Sequence, residues 1–138
     1  CRDWTCKKAR VRQMAQIMAL AVSEPVRVDS RRLGDIVTEL GETAAQNVIG
    51  LALEQLATAL TLADNAIRAN NLPEAVRQCD LLARLAWQIG LLSLAGVAMD
   101  LGFCAERGQA VPIGAVHARL MRVGNRSLTA IWDRSQLA

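Results

Sequence analysis

The clearest periodicity in the chain lies in residues 42–69, where Ile49, Leu53, Leu56, Leu60, Ala63 and Ile67 recur at spacings of four, three, four, three and four. Such spacing keeps all six on one face of a helix and predicts a seam packed along a neighbour at a shallow angle. Glu54, Thr58, Thr61, Asn65 and Arg68 repeat on the far side, so one face is expected buried and the other wet.

The flanking segments read as further helices. In residues 7–23, Val11, Met14, Met18 and Ala21 form an amphipathic stripe, which Pro25 ends by removing a donor and biasing Glu24 away from helical geometry. Residues 26–28 then form a short extended connection. Asp29 or Ser30 caps the next helix, with Leu33, Ile36, Val37 and Leu40 as its buried stripe and Gly41 as a stop or a bend. Asn70-Asn71-Leu72-Pro73-Glu74 is a tight turn with a capping box, Asn71 accepting from the amide of residue 74 and Glu74 reaching back. So short a loop makes the two flanking helices antiparallel neighbours.

Beyond it, Ala75, Cys79, Leu82, Ala86 and Ile89 line one face, and Arg77, Arg84 and Gln88 the other. Leu81, Leu85 and Trp87 widen the apolar surface, which predicts a helix buried on most sides. Gly90, Gly96 and Gly102 recur every six residues, and one of them should mark a break, because each costs about 1 kcal/mol in a helix interior. Gly96 is the expected position, with a further helix over 97–107 ending at Gly108. A last helix over 112–134 turns Ile113, Val116, Leu120, Val123 and Ile131 inward, with a kink possible at Gly124-Asn125. The predicted fold is all-α: an antiparallel up-and-down bundle of about five or six helices around a central hairpin formed by segments 42–69 and 72–107.

Composition refines this picture. Apolar residues make up 52% of the 138, yet the aromatics are three Trp and one Phe, so the core must be mostly Leu, Ala, Ile and Val. The formal charge of +3 is unevenly spread. Arg2, Lys7, Lys8, Arg10 and Arg12 face only Asp3 at the start, the body is mildly acidic, and the chain is basic again after Arg107, which argues against a general polyanion binder. Residues 1–13 are read as a basic N-terminal extension, a fragment edge or upstream sequence rather than native protein, and 14–138 as one helical-bundle domain.

The fifteen uncharged residues 85–99 fall short of the roughly 20 that span a bilayer, so no membrane segment is expected. Residues 14–22 match a secretory signal only in part, without a convincing cleavage site. Of the four cysteines, Cys79 and Cys104 sit in apolar helical patterns, and Cys1 and Cys6 lack further ligands for a metal. No disulfide framework, metal or cofactor is expected, and a reducing, cytoplasmic setting fits.

At residues 86–96 the chain reads AWQIGLLSLAG, and here it resembles the histidine-containing phosphotransfer family. That family's core reads His-x-x-Lys-Gly followed by a second Gly six residues on, and Gly90 and Gly96 match both glycines. The resemblance implies an antiparallel helical bundle with a central hairpin. It departs from the family at the decisive positions, with Ala86 where the phosphorylated histidine stands and Ile89 where the lysine stands. Alanine offers no nucleophile, so the resemblance implies a degenerate member, whose remaining use is docking of a receiver or kinase domain around Arg84, Trp87, Gln88 and Ser93.

The other candidates are weaker. His117, the one histidine, lies close to the apolar face of its helix and reads as a partly buried structural residue, with no orienting carboxylate at recognisable spacing. Asp100 reads as a helix-surface charge. Arg119, Arg122 and Arg126 share an outer face, expected to be solvated. Trp4, Trp87 and Trp132 read as core or interface anchors. No catalytic residue or metal site is assigned. The function expected is a non-enzymatic, bacterial protein–protein interaction module in signalling, with a homodimer favoured by surplus apolar surface on the hairpin. The alternative is a transcription-related protein contacting DNA through its basic ends.

Overall fold

The computed structural model describes residues 25–137, and the predicted helix over 7–23, Trp4, Cys1 and Cys6 lie outside the described residues. Among those described, five helices carry the fold: α1 (Ser30–Leu40), α2 (Glu42–Arg68), α3 (Leu72–Gln88), α4 (Leu92–Arg107) and α5 (Ala110–Leu137). The only other regular pairing among them is an isolated antiparallel bridge between Val28 and Leu91. α2, α3 and α4 each pack on the next, and α5 packs on α4 and returns to α2, closing a ring of four helices. Turns of two or three residues between them make consecutive helices antiparallel. The predicted all-α bundle is the observed one.

Asp29 starts α1, its carboxylate accepting from the amides of Arg31 and Arg32 at 3.1 and 3.3 Å. The stripe expected on α1 is only partly buried: Ile36 is inside and Leu33 half-buried, whereas Val37 and Leu40 are exposed. The helix is short and, among the described residues, packs mainly on α2, so only one edge of its stripe finds cover.

On α2 the seam forms as predicted, with Ile49, Leu53, Leu56, Leu60 and Ala63 buried and Ile67 half-buried. The cap of α3 is half the expected box. Asn71 Oδ1 accepts from the amide of Glu74 at 3.4 Å, but the amide of Asn71 donates to the carbonyl of Ala66, and the Glu74 carboxylate turns forward to Arg77 and Gln78. Those two bonds, the Arg77 one foremost, hold the Glu74 carboxyl below the usual carboxylate range.

Ala75, Cys79, Leu82, Ala86 and Ile89 form the buried face of α3 as expected. Burial pushes the Cys79 thiol up to about 11, which leaves it protonated and inert at neutral pH. The expectation that α3 is covered on most sides fails: Leu81 is 37% and Trp87 68% exposed, because only α2 and α4 flank this helix in the ring.

The break between α3 and α4 falls at Gly90, not at Gly96. Gly90 takes φ +82°, and a Cβ there would meet Cβ and O of Asp29 at 3.0 Å. Both conformation and contact therefore demand glycine. Gly96 lies exposed within α4, in open space. Once the turn is placed at Gly90, α4 begins at Leu92 and runs to Arg107, with Gly108 just beyond it as predicted.

α5 continues through Gly124 without interruption, so no helix break accompanies the expected kink. Gly124 instead permits close packing, since a Cβ there would fall 2.8 Å from Cδ2 of Leu60 on α2. Ile113, Leu120, Val123 and Ile131 are buried, as predicted for α5, and Val116 is half-buried. The core is aliphatic, centred on Leu56, Leu82, Leu91, Leu94, Leu101 and Leu120. No helix among the described residues is long and apolar enough to cross a membrane.

Candidate functional site

The turn at Gly90 is strapped from outside by the segment that leads into α1. The amide of Asp29 donates to the carbonyl of Gly90 at 2.7 Å, and the amide of Leu92 donates to the carbonyl of Arg27 at 3.1 Å. The amide of Arg27 donates to Ser93 Oγ at 2.7 Å, and Arg32 Nε donates to the carbonyl of Gln88 at 2.9 Å. These bonds satisfy carbonyls and amides that the ends of α3 and α4 would otherwise leave open.

The four residues proposed for docking sit around this turn but differ in role. Arg84, Trp87 and Gln88 are exposed on the last turns of α3, with Arg84 3.5 Å from Asp80 in a solvent-facing pair. Ser93 is half-buried, and its hydroxyl serves the strap. Trp87, Trp132 and Phe103 are all more than half exposed, so among the described residues no aromatic side chain belongs to the core. The reading of Trp87 and Trp132 as core anchors is thus corrected, and the surface role remains. Asp100 is exposed, as expected.

His117 on α5 is half-buried, and its Nε2–H donates to Oδ1 of Asp64 on α2 at 2.7 Å. Arg68 Nε donates to the same oxygen at 3.0 Å. The Arg68 bond holds the Asp64 carboxyl below the usual range, opposed by burial and aided by His117. An orienting carboxylate for His117 is therefore present, 53 residues away in sequence, where local spacing could not reveal it. Both groups lie on the polar margin of an amphipathic helix, the only signal sequence offered. The pair pins α5 to α2 beside the aliphatic seam.

The basic face of α5 is less solvated than expected. Arg126 is exposed, but Arg119 and Arg122 are half-buried, and Nε of Arg122 is enclosed by protein. Long cationic side chains on a packed helix lay their stems along its neighbours, which accounts for this. Among the described residues no group of three or more His, Cys, Asp or Glu is placed to hold a metal ion.

No protein-family model matches the chain, and no curated protein matches it in sequence. A crystal structure does match: histidine-containing phosphotransfer protein B from Pseudomonas aeruginosa superposes with a TM-score of 0.73 over 84% of this chain and 99% of that one, at 18% identity. The chain has a histidine-containing phosphotransfer fold.

In that fold, the two positions at which the sequence departs from the motif it resembles are interior. Ala86 is fully buried and Ile89 is 3% exposed, both in the aliphatic core. Gly90 forms the turn between α3 and α4.

Proposed function

We propose that the chain is a non-catalytic interaction module of a bacterial, cytoplasmic signalling system, one that docks a receiver or kinase domain without carrying a phosphoryl group at the motif position. The observation that carries this reading is the inversion at the end of α3. The motif's chemical positions, Ala86 and Ile89, are core, while Arg84, Trp87 and Gln88 beside them are exposed. Tryptophan and arginine are among the residue types most enriched at the energetic centres of protein interfaces.

Calorimetric titration of the chain with purified receiver and kinase domains of its host tests the reading. Binding of at least one is expected, weakened about tenfold or more in a Trp87→Ala, Arg84→Ala variant. A labelled phosphoryl donor in the same mixture should leave the chain unlabelled. Absence of binding by every such domain, or label that disappears with His117→Ala, would refute the reading.

A further inference from the structure

The outward side of α2 is nearly without charge. Of the twelve exposed residues between Thr43 and Leu62, only Glu54 is charged, where an ordinary surface would place roughly three or four. Ala44, Val48, Leu51, Gln55, Thr58, Leu62 and Asn65 recur there at four, three, four, three, four and three, a second stripe with the spacing of the buried seam. Val48, Leu51 and Leu62 are 45%, 57% and 42% exposed. The threonines add little polarity, because Thr58 and Thr61 each donate their hydroxyl back to a carbonyl of α2 at 3.0 Å and leave their methyls to face outward. α3 extends the surface with Gln78, Leu81 and Leu85 across a shallow groove.

We infer that this face is a self-association interface, taken by the same face of a second copy about a two-fold axis near Gln55. The inference does not rest on docking at Trp87, which lies on the other flank of α3. A surface this poor in charge offers no electrostatic handle to a charged partner and calls for an equally uncharged one, which the same face of a second copy supplies.

The stripe is also self-complementary. Val48 and Leu62 stand seven residues either side of Gln55, with Leu51 and Thr58 between. Antiparallel pairing sets Val48 against Leu62 of the other copy and Leu51 against Thr58, and brings the two Gln55 amides together as donor and acceptor. The spacing suits shallow-angle helix packing. From Ala44 to Asn65 the stripe is about 32 Å long. Taken about 10 Å wide, and with the shorter row of about 10 Å on α3 beside it, the face projects roughly 400 Å², about half of the roughly 800 Å² per partner of a standard interface, which suits a small, reversible dimer. Glu54 sits just off the stripe and meets its own counterpart near the axis, so it weakens the pairing.

Sedimentation equilibrium of the full chain should give twice the 14.9 kDa chain mass. Val48→Lys and Leu62→Glu, at exposed positions that leave helicity unchanged, should each weaken the dimer about 100-fold by setting an unpaired charge against an apolar side chain. The double variant Val48→Lys, Leu62→Glu should recover to within about tenfold of the unmodified chain, because each lysine then faces a glutamate across the axis. Glu54→Gln should tighten association. A monomer at every concentration, a dimer indifferent to both single changes, or a double variant no better than the singles would each overturn the inference.

Discussion

On the inner side of α2, Ile49, Leu53, Leu56, Leu60 and Ala63 are buried against α3 and α5; on the outer side, Val48, Leu51 and Leu62 repeat at the same spacing and remain 42–57% exposed. Periodicity alone does not distinguish the two stripes. What separates them is whether the chain itself supplies a partner. The inner side is closed by contacts within the chain: the aliphatic seam, the strap on Gly90 and the Asp64–His117 pin. The outer side is left partly open beside a shallow groove to α3, and a Cβ at Gly96 on α4 would meet nothing within 4 Å.

The contrast is tested most strongly at paired leucines. Leu56→Ala should destabilise the fold by about 2–5 kcal/mol, and Leu51→Ala by less than about 0.5 kcal/mol, read as urea midpoints in dilute solution. Equal losses would erase the distinction. At the hairpin turn, Gly90→Ala should cost about 1–3 kcal/mol, since alanine must adopt φ +82° and push against Asp29. A lowered thermal midpoint with helicity retained would place the loss in the turn.

Asp64→Asn should cost about 1 kcal/mol at neutral pH by weakening the pin to His117 and the bond to Arg68. Its pH dependence has a definite sign. The Asp64 carboxyl titrates lower in the folded chain than the unfolded value near 4, so its stabilisation is complete above that value and fades as pH falls through the folded one. The stability gap between the unmodified chain and Asp64→Asn should therefore narrow in acid, and a gap that widens would show that the ionised form is not the stabilising one. Gly96→Ala is the smallest change and has the opposite sign. With open space around it, alanine should raise stability by about 0.5–1 kcal/mol, seen as a higher thermal midpoint.

Local pattern was enough for much of this fold. The α2 seam, the Asp29 and Asn71 caps, the buried face of α3 and the inward set of α5 follow from spacing and capping chemistry that act within a few residues. The misplaced turn shows where that reach ends. Gly90 and Gly96 are equivalent as helix breakers, and the choice between them is made by Asp29, which lies against Gly90 from some 60 residues away. Likewise Asp64 reaches His117 only through the closure of α5 onto α2. The site followed the same rule: the residues around Trp87 were visible as a polar flank, but that Ser93 serves the strap depends on Arg27.

The strap has a consequence for how the molecule opens. Its bonds join partners 56 and 66 residues apart, so they carry a large closure entropy and can form only after the hairpin they span is in place. The ring of four helices supplies most of the core without them, whereas residues 27–32 hold on through a few bonds, the packing of Val28 on that core and one short helix. They should be the first part to detach. In native-state hydrogen exchange, the amides of Asp29 and Leu92 should become labile together, at a lower opening free energy than the amides of α2 around Leu56. Two units of cooperativity are expected in that measurement, with the glycine turn between α3 and α4 the place where the weaker one lets go.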